Sequence, residues 1–231
     1  LVVYEFAHVM GINNLEQAKE YMSQKISSAD ARNRNAAKAE NFTIEEGDFV
    51  KGIDGKFFAD ILRNGSVAKE FLGSSAGSDL TPLDTDVSMV TKKGETIDET
   101  IKDTAANSYG GVYFVLKNDD RFATTRTKEG NDNPSADNLT KMEAFYTGFC
   151  DSDNSHHYGI RTGFASSDID FIVVNSYSEK IGLDIALNGF YIPVVDRSGK
   201  LVFSEQDYDN LREKMSGLSK YGEEHFEVSE N

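Results

Sequence analysis

Three aspartates, two glycine-serine pairs and a single proline crowd into one stretch, Glu70 to Val90 (EFLGSSAGSDLTPLDTDVSMV). No other part of the chain is so dense in groups able to hold a ligand. Its sharpest feature is Asp84-Thr85-Asp86. On an extended chain, side chains at i and i+2 share a face, so the two carboxylates point the same way. Such a pair can hold Mg²⁺ between protein and phosphate. Gly73-Ser74 lies upstream across nine intervening residues, and Asp79 falls between. The plain alternative is a capped turn whose acids accept backbone hydrogen bonds. Other candidates are scattered. Arg161-Thr162-Gly163 joins a planar donor fork to a glycine that permits close backbone approach, a combination suited to phosphate or carboxylate. Ser167-Asp168-Ile169-Asp170 repeats the Asp-x-Asp pattern ahead of the run FIVV, where the bland reading is a strand start with solvent-facing acids. His156 and His157 are adjacent, and neighbours on an extended chain face opposite ways, which disfavours a shared metal.

The elements that must position these groups read as follows. Asn14 caps a helix whose face is Leu15, Ala18, Met22 and Ile26, with Gln17 at the capping-box position. The alanine-rich, charged run to Glu40 continues it as a solvated face or a linker. Phe49 to Ile53 is a short strand. Lys56 to Asn64 is a helix with Phe57, Phe58, Ile61 and Leu62 on one face, stopped by Asn64-Gly65. Val87 to Thr91 alternates as a strand, and Glu95 to Thr104 is helical. Val112 to Leu116 is an inner strand by its unbroken apolar run. Phe122 to Arg126, Met142 to Thr147 and Tyr158 to Gly163 are extended, and Phe171 to Val174 is a buried strand. Ser178 to Asn188 is a helix. Pro193 pushes the strand Phe190 to Val195 toward a sheet edge. A turn at Asp196 to Gly199 leads to the strand Leu201 to Phe203. Ser204, with Asp207 nearby, caps a helix from Glu205 to Met215. Strands and helices do not alternate strictly, so the expected class is α+β with a mixed, mainly antiparallel sheet. The expected organisation is a helical N-terminal extension over 1–40, one α+β domain over 41–216 and a frayed acidic tail over 217–231.

Bulk composition sets limits. The 231 residues carry a formal charge of −15. That field repels phosphate backbones and anionic lipid, and the basic residues are dispersed, which disfavours nucleic acid as a partner. One cysteine, Cys150, rules out an internal disulfide framework. No apolar run approaches a membrane span. The start, LVVYEFAHVMG, lacks a basic leader and an initiator Met, as expected of an excised domain or a processed product.

Two family resemblances attach to these residues. Gly73-Ser74, the spacer and Asp84-Thr85-Asp86 resemble the nucleotidyltransferase signature. It implies a Gly-Ser turn cradling phosphate and two aspartates holding Mg²⁺ on a strand. Val50-Lys51-Gly52-Ile53, followed by a helix ending Ile61-Leu62-Arg63-Asn64-Gly65, resembles the opening of ADP-ribosyltransferase-like domains. The run Gly163 to Val174 is similar to a late strand entry found in several of them. This second resemblance implies a split α+β sheet gripping NAD, with transfer of ADP-ribose to a protein or nucleic-acid acceptor. Lys51 stands where those domains carry His or Arg. It can meet a phosphate but lacks the bidentate fork, and its bland reading is a surface lysine. The carboxylate that orients ribose and acceptor hydroxyls has Glu70 and Glu143 as candidates. A third reading is a non-catalytic interaction module, in which the Glu70 to Val90 stretch is scaffolding.

Overall fold

In the computed structural model, residues 14–39, 41–65, 86–90, 94–102, 111–116, 123–125, 139–140, 157–160 and 164–225 are described. For 86–90, 123–125, 139–140, 157–160 and 219–225 this covers the backbone alone. The apolar run Val112–Leu116 is strand β3, buried at every position. Its side chains alternate between two covered faces. Val112, Phe114 and Leu116 enter one core, and Tyr113 and Val115 the other. Burial on both faces is why the strand reads as continuous rather than alternating hydrophobicity.

Around β3 the described strands form one nine-stranded sheet. In chain order they are β1 (Phe49–Ile53), β2 (Asp86–Val90), β3, β4 (Ala123–Thr125), β5 (Leu139–Thr140), β6 (His157–Ile160), β7 (Ile169–Val174), β8 (Val194–Val195) and β9 (Leu201–Phe203). Their spatial order is β5-β4-β6-β2-β1-β3-β7-β8-β9. Every pairing is antiparallel except β7 with β8. The α+β class with a mixed, mainly antiparallel sheet is therefore what the chain adopts. Pro193 precedes a strand of two residues, and β8 lies one strand in from the β9 edge. The Phe190–Ile192 segment ahead of it is buried without joining the ladder.

The larger core lies between one sheet face and the helices. Ala29 from α1 (Leu15–Ala36) contributes to it, as do Phe58, Ile61 and Leu62 from α2 (Phe58–Asn64). Ile181, Ile185 and Ala186 come from α4 (Glu179–Asn188), and Tyr208 from α5 (Glu205–His225). The opposite face is covered by Ile97 and Ile101 of α3 (Ile97–Lys102) and by Phe42 and Ile44. Each large side chain so buried stabilises the fold by roughly 1.5–3 kcal/mol before entropy is subtracted.

Local signals place the helix ends. The Asn14 side chain accepts from the Glu16 N–H at 2.8 Å. Ser204 and Asp207 satisfy one another's backbone donors, with Ser204 N to Asp207 Oδ2 at 2.8 Å and Asp207 N to Ser204 Oγ at 3.2 Å. Two expectations change. Helix α5 does not stop at Met215 but runs to His225. The charged run after Ser27 is not a linker: through Ala36 it continues α1, with Ala31, Arg32 and Asn35 exposed on one side and Ala29 and Asn33 buried against the domain on the other. Asn33 is fully buried and donates to the Tyr191 carbonyl at 2.9 Å. Asp30 accepts from the Tyr191 N–H at 2.8 Å. These two helix side chains thus satisfy both backbone groups of a residue that has no strand partner. Asn33→Ala leaves a buried carbonyl without that donor, so it should cost about 2 kcal/mol of unfolding free energy in urea. A change below about 0.5 kcal/mol would mean that water replaces the amide freely.

Tyr191 is wholly buried, its hydroxyl donating to the Phe203 carbonyl at 2.9 Å. Burial, with Glu205 and Asp207 nearby, pushes its phenol well above the ordinary tyrosine value. Burial raises Tyr208 and Tyr177 as well. Each is an acid that keeps its proton longer folded than unfolded. Above about pH 10, where free tyrosine ionises, the folded state therefore binds more protons than the unfolded one. Stability is unaffected by these groups below that pH and falls as pH rises beyond it. Circular dichroism and tyrosinate absorbance should show these phenols ionising together with unfolding. Their titration at the free value in a folded chain would overturn the assignment.

Candidate functional site

Lys51 sits in the middle of β1, one strand over from the centre of the larger core. It is not the surface lysine of the bland reading: only 4% of it is exposed. Strand alternation puts it on the same face as Phe49 and Ile53, both in the helix-covered core. Directly across the ladder stands Phe114, and Gly52 stands opposite Tyr113. Lys51 is also held by a partner of its own. A lysine buried among apolar groups is tolerated only where a complementary group meets it.

Beyond β1, Asp54 caps a 3-10 turn, Gly55–Phe57, which runs into α2. Gly65 stops the helix as its type predicts, at φ +68°, and its N–H donates to the Ile61 carbonyl at 2.7 Å. The glycine is required for a second reason. A Cβ there would lie 2.4 Å from the Phe164 carbonyl oxygen. The end of α2 is therefore pressed against the Phe164–Ala165 backbone. The Phe164 ring meets Phe114 edge-on at 5.8 Å, and Phe58 stacks on the same Phe114 at 5.8 Å. A chain of contacts runs from Lys51 through Phe114 and Phe164 to Gly65. The two separated stretches, residues 50–65 and 164–174, thus share one floor.

The floor is braced from α1. After Ala165 comes a 3-10 turn, Ser166–Asp168, where the Asp168 carboxylate accepts from the Ala165 N–H at 2.9 Å. Leu116 pairs with Ile169 but Val115 with Phe171, so Asp170 is the extra residue of a bulge. Arg32 meets it, Nε to Oδ1 at 3.0 Å, and donates from Nη2 to the Ile169 carbonyl at 3.0 Å. Asp168 and Asp170 are therefore buried structural acids, not the solvent-facing pair expected. Their partners explain the difference: a backbone N–H and a guanidinium replace the lost water. Sequence spacing held no signal for the Arg32–Asp170 pair, since the two are far apart in the chain.

Asp86 opens β2 and lies opposite Ile160 of β6, the residue immediately before Arg161 in the sequence. The described strand begins at Asp86. Glu70, Gly73, Ser74, Asp84, Glu143 and Arg161 lie outside the described residues, as do Asp79, Cys150 and His156. Of the expected site, Lys51, Gly52 and the backbone of Asp86 are thus placed, on the adjacent strands β1 and β2. Among the described residues no group of three His, Cys, Asp or Glu side chains is arranged to hold a metal ion. No described helix is long and apolar enough to cross a membrane. Of the two rings that form the floor beside Lys51, Phe114 was legible as part of an inner strand and Phe164 only as part of the run Gly163 to Val174. No family model, no curated protein and no solved structure matches the chain.

Proposed function

We propose that this chain is an NAD-binding domain of the ADP-ribosyltransferase type. What supports the reading is the convergence described above. The two stretches that carry the resemblance are far apart in sequence, and they meet on one floor around a buried lysine. On this reading Lys51 and Arg161 meet the phosphates of NAD. Gly52, Gly73 and Ser74 allow close backbone approach, and a carboxylate, Glu70 or Glu143, orients the ribose hydroxyls. The acceptor is a protein rather than nucleic acid, because a net charge of −15 repels a phosphate backbone.

Calorimetric titration with NAD⁺ in the absence of metal is the test, on the parent chain and on Lys51→Met. Methionine keeps the volume and removes the charge. Loss of a charge-assisted contact to phosphate should weaken binding about tenfold, roughly 1.4 kcal/mol. Thermal melts of both proteins separate that loss from unfolding. Unchanged NAD⁺ affinity in a folded Lys51→Met protein would remove the anchor of the proposal. Metal-dependent binding of ATP instead would move the function to Mg²⁺-assisted nucleotidyl transfer through Asp84 and Asp86. Binding of neither nucleotide would leave the interaction module.

A further inference from the structure

We draw no further inference here: the strongest candidate, the exposed apolar pair Leu183 and Leu187 one turn apart on α4, is a bare helix face, and nothing in the structure shows what covers it.

Discussion

Replacing Arg34 with methionine should lower the unfolding free energy by about 2–3 kcal/mol, among the largest losses available from a residue outside the apolar core. Arg34 sits in the second half of α1, and its guanidinium meets three carboxylates. The distances are 2.8 Å to Asp30, 2.5 Å to Glu205 and 3.0 Å to Asp209. The last two belong to α5, so the contact joins helices from opposite ends of the described chain. The same guanidinium lies over the rings of Tyr208 at 5.4 Å and Tyr191 at 5.9 Å. Hydrogen bonds to Asp209 above all, then to Glu205 and Asp30, hold its pKa far above the ordinary arginine value, against the opposing effect of burial. Removing the cation leaves three acids facing one another and takes a charge from two aromatic faces.

Two limits fix the magnitude. An exposed ion pair contributes about 0.2–1 kcal/mol, and breaking a buried one costs about 3–5 kcal/mol. With about a quarter of its side chain exposed (26%), Arg34 lies between them. Lysine at this position keeps the charge but loses the planar fork, so Arg34→Lys should recover only part of the loss. Urea denaturation at low and high salt is the measurement. A double-mutant cycle with Asp209→Asn should return a coupling above about 0.5 kcal/mol. An Arg34→Met protein within about 0.5 kcal/mol of the parent would show that the clamp contributes little.

Gly65→Ala should be at least as damaging, by about 3 kcal/mol, and should reach the proposed nucleotide site. Two costs add. At φ +68° and ψ −165° the backbone occupies a region essentially closed to residues with a Cβ. The new methyl would also lie 2.4 Å from the Phe164 carbonyl oxygen, a backbone atom that cannot rotate away. Something must shift, and the adjoining ring of Phe164 rests on Phe114, opposite Lys51. Gly189→Ala separates the two costs: φ there is +97°, but no atom lies within 4 Å of the added Cβ. It should lose about 1 kcal/mol and leave the floor in place. If Gly65→Ala melts like Gly189→Ala, the close approach to Phe164 is soft. If it lowers the melting temperature yet binds NAD⁺ with parental affinity when folded, the floor is structural and does not position the ligand.

Both predictions rest on contacts with different standing in the sequence. The Gly65 stop could be read directly, because Asn64-Gly65 after an apolar helical face obeys a local rule. So could the Asn14 cap, the Ser204–Asp207 cap and the apolar runs of β3 and β7. Each depends on residues within one or two turns of each other. The α+β class followed from the order of those elements. The Arg34 clamp could not be read. Its partners Glu205 and Asp209 are 171 and 175 positions away, and an alanine-rich charged run looks solvated until its partners are known.

What the chain by itself determined, then, is which segments become helix or strand and which faces must leave water. Periodicity and capping are short-range physics, and burial follows from side-chain type. Only the tertiary structure decided which polar groups would be buried with partners. It placed Lys51 inside the sheet's helix-covered face, set Asp170 in a bulge against Arg32, and matched Asn33 and Asp30 to the two backbone groups of Tyr191. A buried charge or amide is tolerated only where a complementary group is delivered to it. That delivery depends on how distant segments pack, which no local pattern encodes.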